Sequence, residues 1–136
     1  MLNLKRDAKR PFLENFLYEM GKSMKNTIMI KKNYEFKNFF SKGKFFYGEN
    51  IHMYIHKNKI NLNKLGIAIS RKQGKAVERN RIKRLIRENY KNYEDKIGTG
   101  NNIIIIVNKN RNSKDIEYYG IQRDFENILS KAGVLK

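Results

Sequence analysis

The chain has no cysteine, a single proline, and only 13 acidic residues against 30 lysines and arginines. Without cysteine there are no disulfides, no thiolate metal ligands and no cysteine nucleophile, a composition that fits a reducing compartment. One proline and nine glycines in 136 residues exclude collagen-like and Pro/Gly low-complexity chains. Long apolar runs are missing too. The longest, residues 103–107, is five residues, far short of the ~20 that a membrane-spanning helix needs. The N-terminus mixes charge with apolar residues instead of presenting a signal-peptide core. What is there is a formal net charge of +17, with 40% hydrophobic and 12% aromatic residues. A domain of this size hides roughly two-thirds of the surface of its unfolded form. The expectation is one soluble, very basic domain working in the cytoplasm.

An excess of this size calls for a polyanion. Nucleic acid leads, because lysine and arginine that neutralise phosphates release condensed counterions. A compositional bias toward Lys and Asn, or an anionic membrane surface, are the alternatives. Lysine supplies 21 of the 30 positive charges and is spread along the chain, so it discriminates little. Arginine discriminates more. Five of the nine, Arg71, Arg79, Arg81, Arg84 and Arg87, fall within seventeen positions, where the planar multi-donor guanidinium has a use that lysine lacks.

Residues 1–23 read as an extension of unknown role, ahead of a domain at 24–136. Lys5, Arg6, Lys9 and Arg10 precede Pro11, and Phe12, Leu13, Phe16, Leu17 and Met20 then recur at helical spacing before Gly21. Either a short amphipathic helix or a frayed or mis-assigned start upstream of Met24 accounts for them. From Lys31 the pattern tightens. Asn33 suits the N-cap of a short helix that ends at Gly43, with Phe36 and Phe40 one turn apart. Three strands are expected next, at 44–48, 51–56 and 65–70. The second places Ile51, Met53 and Ile55 on one face and His52, Tyr54 and His56 on the other. The third sets Leu65, Ile67 and Ile69 against the small Gly66, Ala68 and Ser70, a bare face that leaves room for a helix or a ligand. A helix over 77–93 carries Ile82, Leu85, Ile86, Asn89, Tyr90 and Tyr93 on its inward stripe. Residues 103–107 do not alternate and read as a strand buried on both faces. A last helix over 113–132 buries Ile121, Phe125, Ile128 and Leu129. The order αβββαβα predicts an α/β (α+β) single domain with one mixed four-stranded sheet covered by helices.

Residues 71–91 hold nine basic and two acidic residues, a net +7. A loop containing Gly74 delivers directly into the helix, pointing backbone N–H groups and the positive helix end at an anion. The charges cover more of the helix than solvation requires, and like charges a turn apart weaken it. A merely solvated face is the competing reading.

The run Gly74-Lys75-Ala76-Val77-Glu78-Arg79-Asn80-Arg81-Ile82-Lys83-Arg84-Leu85-Ile86-Arg87-Glu88 resembles the signature of the bacterial ribonuclease P protein component. Leu65-Gly66-Ile67-Ala68-Ile69-Ser70-Arg71-Lys72 is similar to that family's strand ending in serine and two basic residues, and Lys31 through Phe40 to Gly43 to its first helix. The resemblance runs from about Lys31 to the C-terminus. It implies a small RNA-binding subunit that joins a catalytic RNA to remove the 5′ leader of precursor tRNA, hydrolysis residing in the RNA. It also implies a left-handed βαβ crossover, against the usual right-handed preference. By the same resemblance Arg79, Asn80, Arg81, Lys83, Arg84 and Arg87 contact the catalytic RNA. A cleft between the first helix and the sheet, with Phe36, Phe40, Tyr54, Arg71 and Lys72, holds the single-stranded leader by stacking and phosphate contact. Ordinary core packing is the competing reading for Phe36 and Phe40. Lys75 stands where relatives often carry a smaller polar residue. The resemblance brings Mg²⁺ as a cofactor held mainly by the RNA, with catalytic RNA and precursor tRNA as partners and no membrane.

His52 and His56 lie about 13 Å apart by strand rise, too far to share one ion, and no carboxylate pair or nucleophile signature accompanies them. They are expected to face RNA or solvent, with no catalytic or metal residue on the protein. A ribosomal or ribosome-assembly protein, or a stand-alone nuclease using a histidine, are the rival functions.

Overall fold

The computed structural model describes residues 26–30 and 33–136, so the helical spacing between Phe12 and Met20 lies outside the described residues. In chain order the elements are β1 (Thr27–Met29), α1 (Asn33–Lys42), β2 (Lys44–Phe46), β3 (Ile51–Lys57), β4 (Asn63–Ala68), α2 (Ala76–Tyr93), β5 (Asn101–Val107) and α3 (Tyr118–Ala132). Short 3-10 turns occupy Arg71–Gln73, Glu94–Lys96 and Ser113–Asp115. The strands form one mixed sheet in the order β1-β4-β5-β3-β2. β4 is parallel to both β1 and β5, while β3 is antiparallel to β5 and β2. The parallel β4–β5 pair, joined through α2, is the expected βαβ unit.

The sheet therefore has five strands where the hydropathy pattern predicts four. The added strand, β1, is three residues long and too short to show alternation. Tertiary hydrogen bonds hold it instead. Thr27 Oγ1 donates to Glu94 Oε2 at 2.6 Å, the Tyr90 hydroxyl bonds Thr27 Oγ1 at 2.8 Å, and the Asn26 N–H reaches the same carboxylate at 3.3 Å. Glu94 is buried at the C-terminal end of α2. Burial, with Glu94 close by, pushes the Tyr90 phenol up to about 12, so it stays a neutral donor throughout the ordinary pH range.

The last helix also starts later than its pattern suggests. Residues 113–115 form a 3-10 turn, Ile116 is extended and fully buried, and α3 begins at Tyr118. Asn112 accepts the Lys114 N–H, which caps the turn rather than a continuous helix.

The two sheet faces differ. On the inner face Ile51, Met53, Ile55, Leu65, Ile103, Ile105 and Val107 join the core with the α2 and α3 stripes. The predicted α2 stripe is buried in full. Tyr93 stacks on Phe125 with ring centroids 5.6 Å apart, and the buried Asn89 amide donates to the Tyr118 carbonyl at 3.2 Å, so the two helices are joined by polar as well as apolar contacts. Register puts Phe45, Tyr54, Ile104 and Gly66 in one row on the outer face, and His52, Ile106 and Ala68 in the next. α1 covers this face only in part. A side chain at Gly66 would place its Cβ 2.8 Å from the Phe36 ring, so the bare face of β4 is the seat of α1.

The β2–β3 turn is held from the inside. Asp124 of α3, buried itself, accepts the N–H groups of Glu49, Asn50 and Ile51 at 3.2, 2.7 and 3.1 Å. At Gly48 a Cβ would sit 2.1 Å from the Ile51 carbonyl oxygen, so no other residue fits there without moving the turn. Asp124→Ala strands two buried amide donors and is expected to cost about 2–4 kcal/mol, read as a lowered urea midpoint at unchanged slope; an unaltered midpoint contradicts this role for the carboxylate.

Candidate nucleic-acid interface

Glu78 sets the start of α2 by accepting the Lys75 N–H at 3.0 Å, which also puts a carboxylate at the positive helix end. Just upstream, Ser70 Oγ accepts the Lys72 N–H at 3.2 Å and caps the 3-10 turn. Gln73, buried beneath that turn, donates to the Asn108 and Arg111 carbonyls at 3.1 and 2.6 Å. Arg71 and Lys72 are thereby presented at the surface on a fixed backbone at the end of β4.

The six basic and polar residues expected on one RNA surface do lie on α2 outside its core stripe, but the structure divides them. Arg79 Nη1 donates to the Arg71 and Gly74 carbonyls at 3.2 and 2.6 Å, closing the turn before the helix. Arg81 Nη2 donates to the Ser113 and Ile116 carbonyls, both at 2.9 Å, fixing the segment before α3. One terminal nitrogen of each is therefore engaged inside the protein, which holds the guanidinium planes in place. Asn80 is exposed, and Lys83 and Arg87 are half-buried. The Arg84 side chain is 63% exposed and sits 3.8 Å from Glu88, one turn on. Such a pair adds little stability in water and leaves Arg84 available. A cavity of about 400 Å³ beside the turn adds Lys109 and Arg111 to Lys72, extending the basic surface beyond the helix.

Of the expected cleft residues, the three rings come together, while Arg71 and Lys72 lie in the turn beyond β4. Phe36 and Phe40 lie 6.2 Å apart between ring centroids, and Phe40 lies 5.0 Å from Tyr54 across the gap between α1 and the sheet. All three are partly exposed, so they are neither core nor free surface. Sequence reasoning missed that the chain of rings continues. Phe45 lies 4.6 Å from Tyr54, Tyr47 lies 4.5 Å from Phe45, and His52 contacts both Phe45 and Tyr47 at 5.4 Å. The signal was available, because Phe45 and Tyr47 alternate with Phe46 just as His52 and Tyr54 alternate with Met53.

His52 is a structural residue as well. Its Nδ1 accepts the Gly48 N–H at 3.1 Å, which fixes the proton on Nε2. Burial lowers its pKa below the ordinary 6.5, opposed by the Asp124 carboxylate. Its ring is thus neutral at physiological pH. Among the described residues no group of three His, Cys, Asp or Glu side chains could hold a metal ion. A cavity of about 630 Å³ at the opposite end of the sheet shares no residue with either surface. Among the described residues no helix is long and apolar enough to cross a membrane.

Comparison with known proteins shows the family of the chain. The family model described as Ribonuclease P matches residues 24–133. The ribonuclease P protein component of Clostridium botulinum (strain Loch Maree) is 40% identical over 106 residues, covering 77% of this chain and 94% of the relative. Among solved structures, the RNase P protein of Staphylococcus aureus superposes with a TM-score of 0.70 at 38% identity, covering 79% of this chain and 97% of that one. The RNase P protein from Thermotoga maritima gives 0.68 at 26% identity, covering 76% and 96%.

The division among the arginines has a measurable consequence. Arg81→Ala is expected to lose about 1–3 kcal/mol of stability, since two carbonyls lose a charged donor, whereas Arg84→Ala stays within about 0.5 kcal/mol of the parent. Denaturant titrations of the two variants giving equal losses would contradict the anchoring role of Arg81.

Proposed function

The chain belongs to the ribonuclease P protein family, and from that premise we propose that it is the RNA-binding subunit of a ribonuclease P, assisting a catalytic RNA in removing the 5′ leader of precursor tRNA. The observation that carries this reading is the partly covered outer face of the sheet. There Phe36, Phe40 and Tyr54 stand as a run of half-exposed rings between α1 and β3, on the sheet whose β4 leads into the turn bearing Arg71 and Lys72. Aromatic faces grip unpaired bases with little regard to sequence, and adjacent cations take the phosphates. That suits a protein meeting many different leaders.

α2 meets the catalytic RNA in this reading. Asn80, Lys83, Arg84 and Arg87 present charge and hydrogen-bond donors outward, and Arg79 and Arg81 present guanidinium groups already fixed by backbone carbonyls. Fixing them in advance reduces the side-chain entropy lost on binding. Hydrolysis belongs to the RNA. The buried carboxylate of Asp124 is taken up by three backbone N–H groups and serves the fold. In this reading Mg²⁺ is held mainly by RNA phosphates, and the protein supplies positioning and charge in the cytoplasm.

Reconstitution tests the proposal. Adding the full chain to a bacterial ribonuclease P RNA at low Mg²⁺ is expected to raise cleavage of precursor tRNA, and no gain at any protein concentration would overturn it. Cleavage by the protein alone, lost in His56→Ala, would favour a stand-alone nuclease. In the reconstituted enzyme Phe40→Ala is expected to weaken precursor binding more than mature tRNA binding. Arg84→Ala is expected to reduce the salt slope of assembly with the RNA by about one phosphate. Equal losses on both tRNAs would remove the leader from the cleft.

A further inference from the structure

We infer that Tyr47, mounted on Phe45 and His52 at the β2 edge of the sheet, is a second stacking station for the single-stranded leader, reached after the strand has crossed the cleft. The inference rests on the reading of the cleft as the leader site and extends it to a residue outside the cleft.

Three observations carry it. The first is the path. Register aligns Ala68 with Ile106 and Ile106 with His52, and pairs Phe46 with Met53 immediately before Tyr47. These positions form a row across the end of the sheet where Arg71 and Lys72 leave β4. Ala68, Ile106 and His52 are all partly exposed, because α1 lies over the neighbouring row through Phe36 and Gly66. Three interstrand steps from β4 to β2 span about 14 Å, the length of roughly four stacked nucleotides. A strand held by phosphate contact at Arg71 would leave the sheet over Tyr47.

The second is the state of Tyr47. It is 78% exposed, an unusual place for a large aromatic side chain, yet it is fixed. Its ring meets Phe45 edge-on at 4.5 Å and His52 at 5.4 Å. Its backbone sits in the turn held by Asp124 and by the Gly48–His52 hydrogen bond. An exposed ring held in place before binding offers a stacking face at small entropic cost. It is also continuous with the cleft, through Phe45 to Tyr54 and from Tyr54 to Phe40.

The third is charge. A cavity of about 280 Å³ has Tyr47 on its wall together with Arg123, Asn127 and Lys131, which recur every fourth residue along one face of α3. Two acidic residues share the cavity, but Asp124 is covered by three backbone N–H groups and Glu49 lies 3.9 Å from Arg111. Arg123 and Lys131 thus complement the phosphates that follow a base stacked on Tyr47. Ring and cation together fit unpaired RNA, in preference to a peptide or a second copy of this chain.

The test uses the reconstituted ribonucleoprotein and precursor tRNAs with uridine leaders of increasing length. Tyr47→Ala is expected to bind short-leader and leaderless tRNA as the parent does and to lose about fivefold or more on the longest leaders. Tyr47→Phe, which keeps the ring, is expected to restore that loss. Phe40→Ala in the same series weakens every leader that reaches the cleft. Parental binding by Tyr47→Ala at all lengths, with Phe40→Ala still impaired, overturns the second station and leaves the cleft reading intact. A loss in Tyr47→Ala that is equal on leaderless tRNA overturns it as well. So does a dimer of the free protein that Tyr47→Ala disrupts, because the ring then serves a second copy of the chain. If Phe40→Ala binds all leader lengths as the parent does, the cleft reading itself fails.

Discussion

Strand β5 pairs with β3 on one side and β4 on the other, and its isoleucines at 103, 104 and 105 are almost wholly removed from solvent. A central strand that is apolar on both faces must be covered on both. The inner face is closed by α2 and α3, whose stripes complete one continuous core. Among the described residues only α1, ten residues long, is available for the outer face. It covers Ile104 and leaves Ile106, Ala68 and His52 partly open. The cleft follows from that mismatch between an apolar sheet and a short helix. Gly66 adjusts it, letting Phe36 approach the sheet more closely than any side chain there would allow.

The same arrangement separates two surfaces of different chemistry. α2 turns its apolar stripe to the core and its cations outward, the surface proposed to meet a folded RNA through phosphates. The outer sheet face carries rings rather than charge, the surface proposed to stack bases. Between them runs the 3-10 turn at Arg71–Gln73, anchored by Ser70, Gln73 and Arg79. Arg79 and Arg81 belong both to the fold and to the charged surface, since each grips backbone carbonyls with one nitrogen. This dual use is one physical reason for placing arginine, with its several donors, at these two positions.

Much of this was legible in the sequence. The 3.6-residue period from Ile82 to Tyr93 gave the buried face of α2 correctly, and alternation at residues 51–56 separated the core face of β3 from its ring-bearing face. The small residues of β4 announced a close neighbour without saying whether it was a helix or a ligand. Periodicity failed where tertiary hydrogen bonds decide the outcome. β1 has three residues and exists because Thr27 reaches Glu94 and Tyr90, more than sixty positions away. The start of α3 is delayed by an Asn112 cap and by Arg81 holding the carbonyls of Ser113 and Ile116. The charge of α2 was plain in the sequence, but the engagement of two of its arginines was not, because their acceptors are backbone carbonyls in other segments. Alternation put Phe45 and Tyr47 on one face of their strand, but which rings of β3 they meet depends on the β2–β3 register, which residue spacing alone does not supply.

The central claim is that the leader and the catalytic RNA occupy different faces of one small domain. Photo-crosslinking in the reconstituted ribonucleoprotein tests it most directly, with a photoreactive base placed in turn in the leader and in the catalytic RNA, and the crosslinked peptides identified by mass spectrometry. The account predicts leader crosslinks to α1 and β3, around Phe40 and Tyr54, and catalytic-RNA crosslinks to the Asn80–Arg87 side of α2. Leader crosslinks confined to the outward row of α2, with none on α1 or β3, would contradict it.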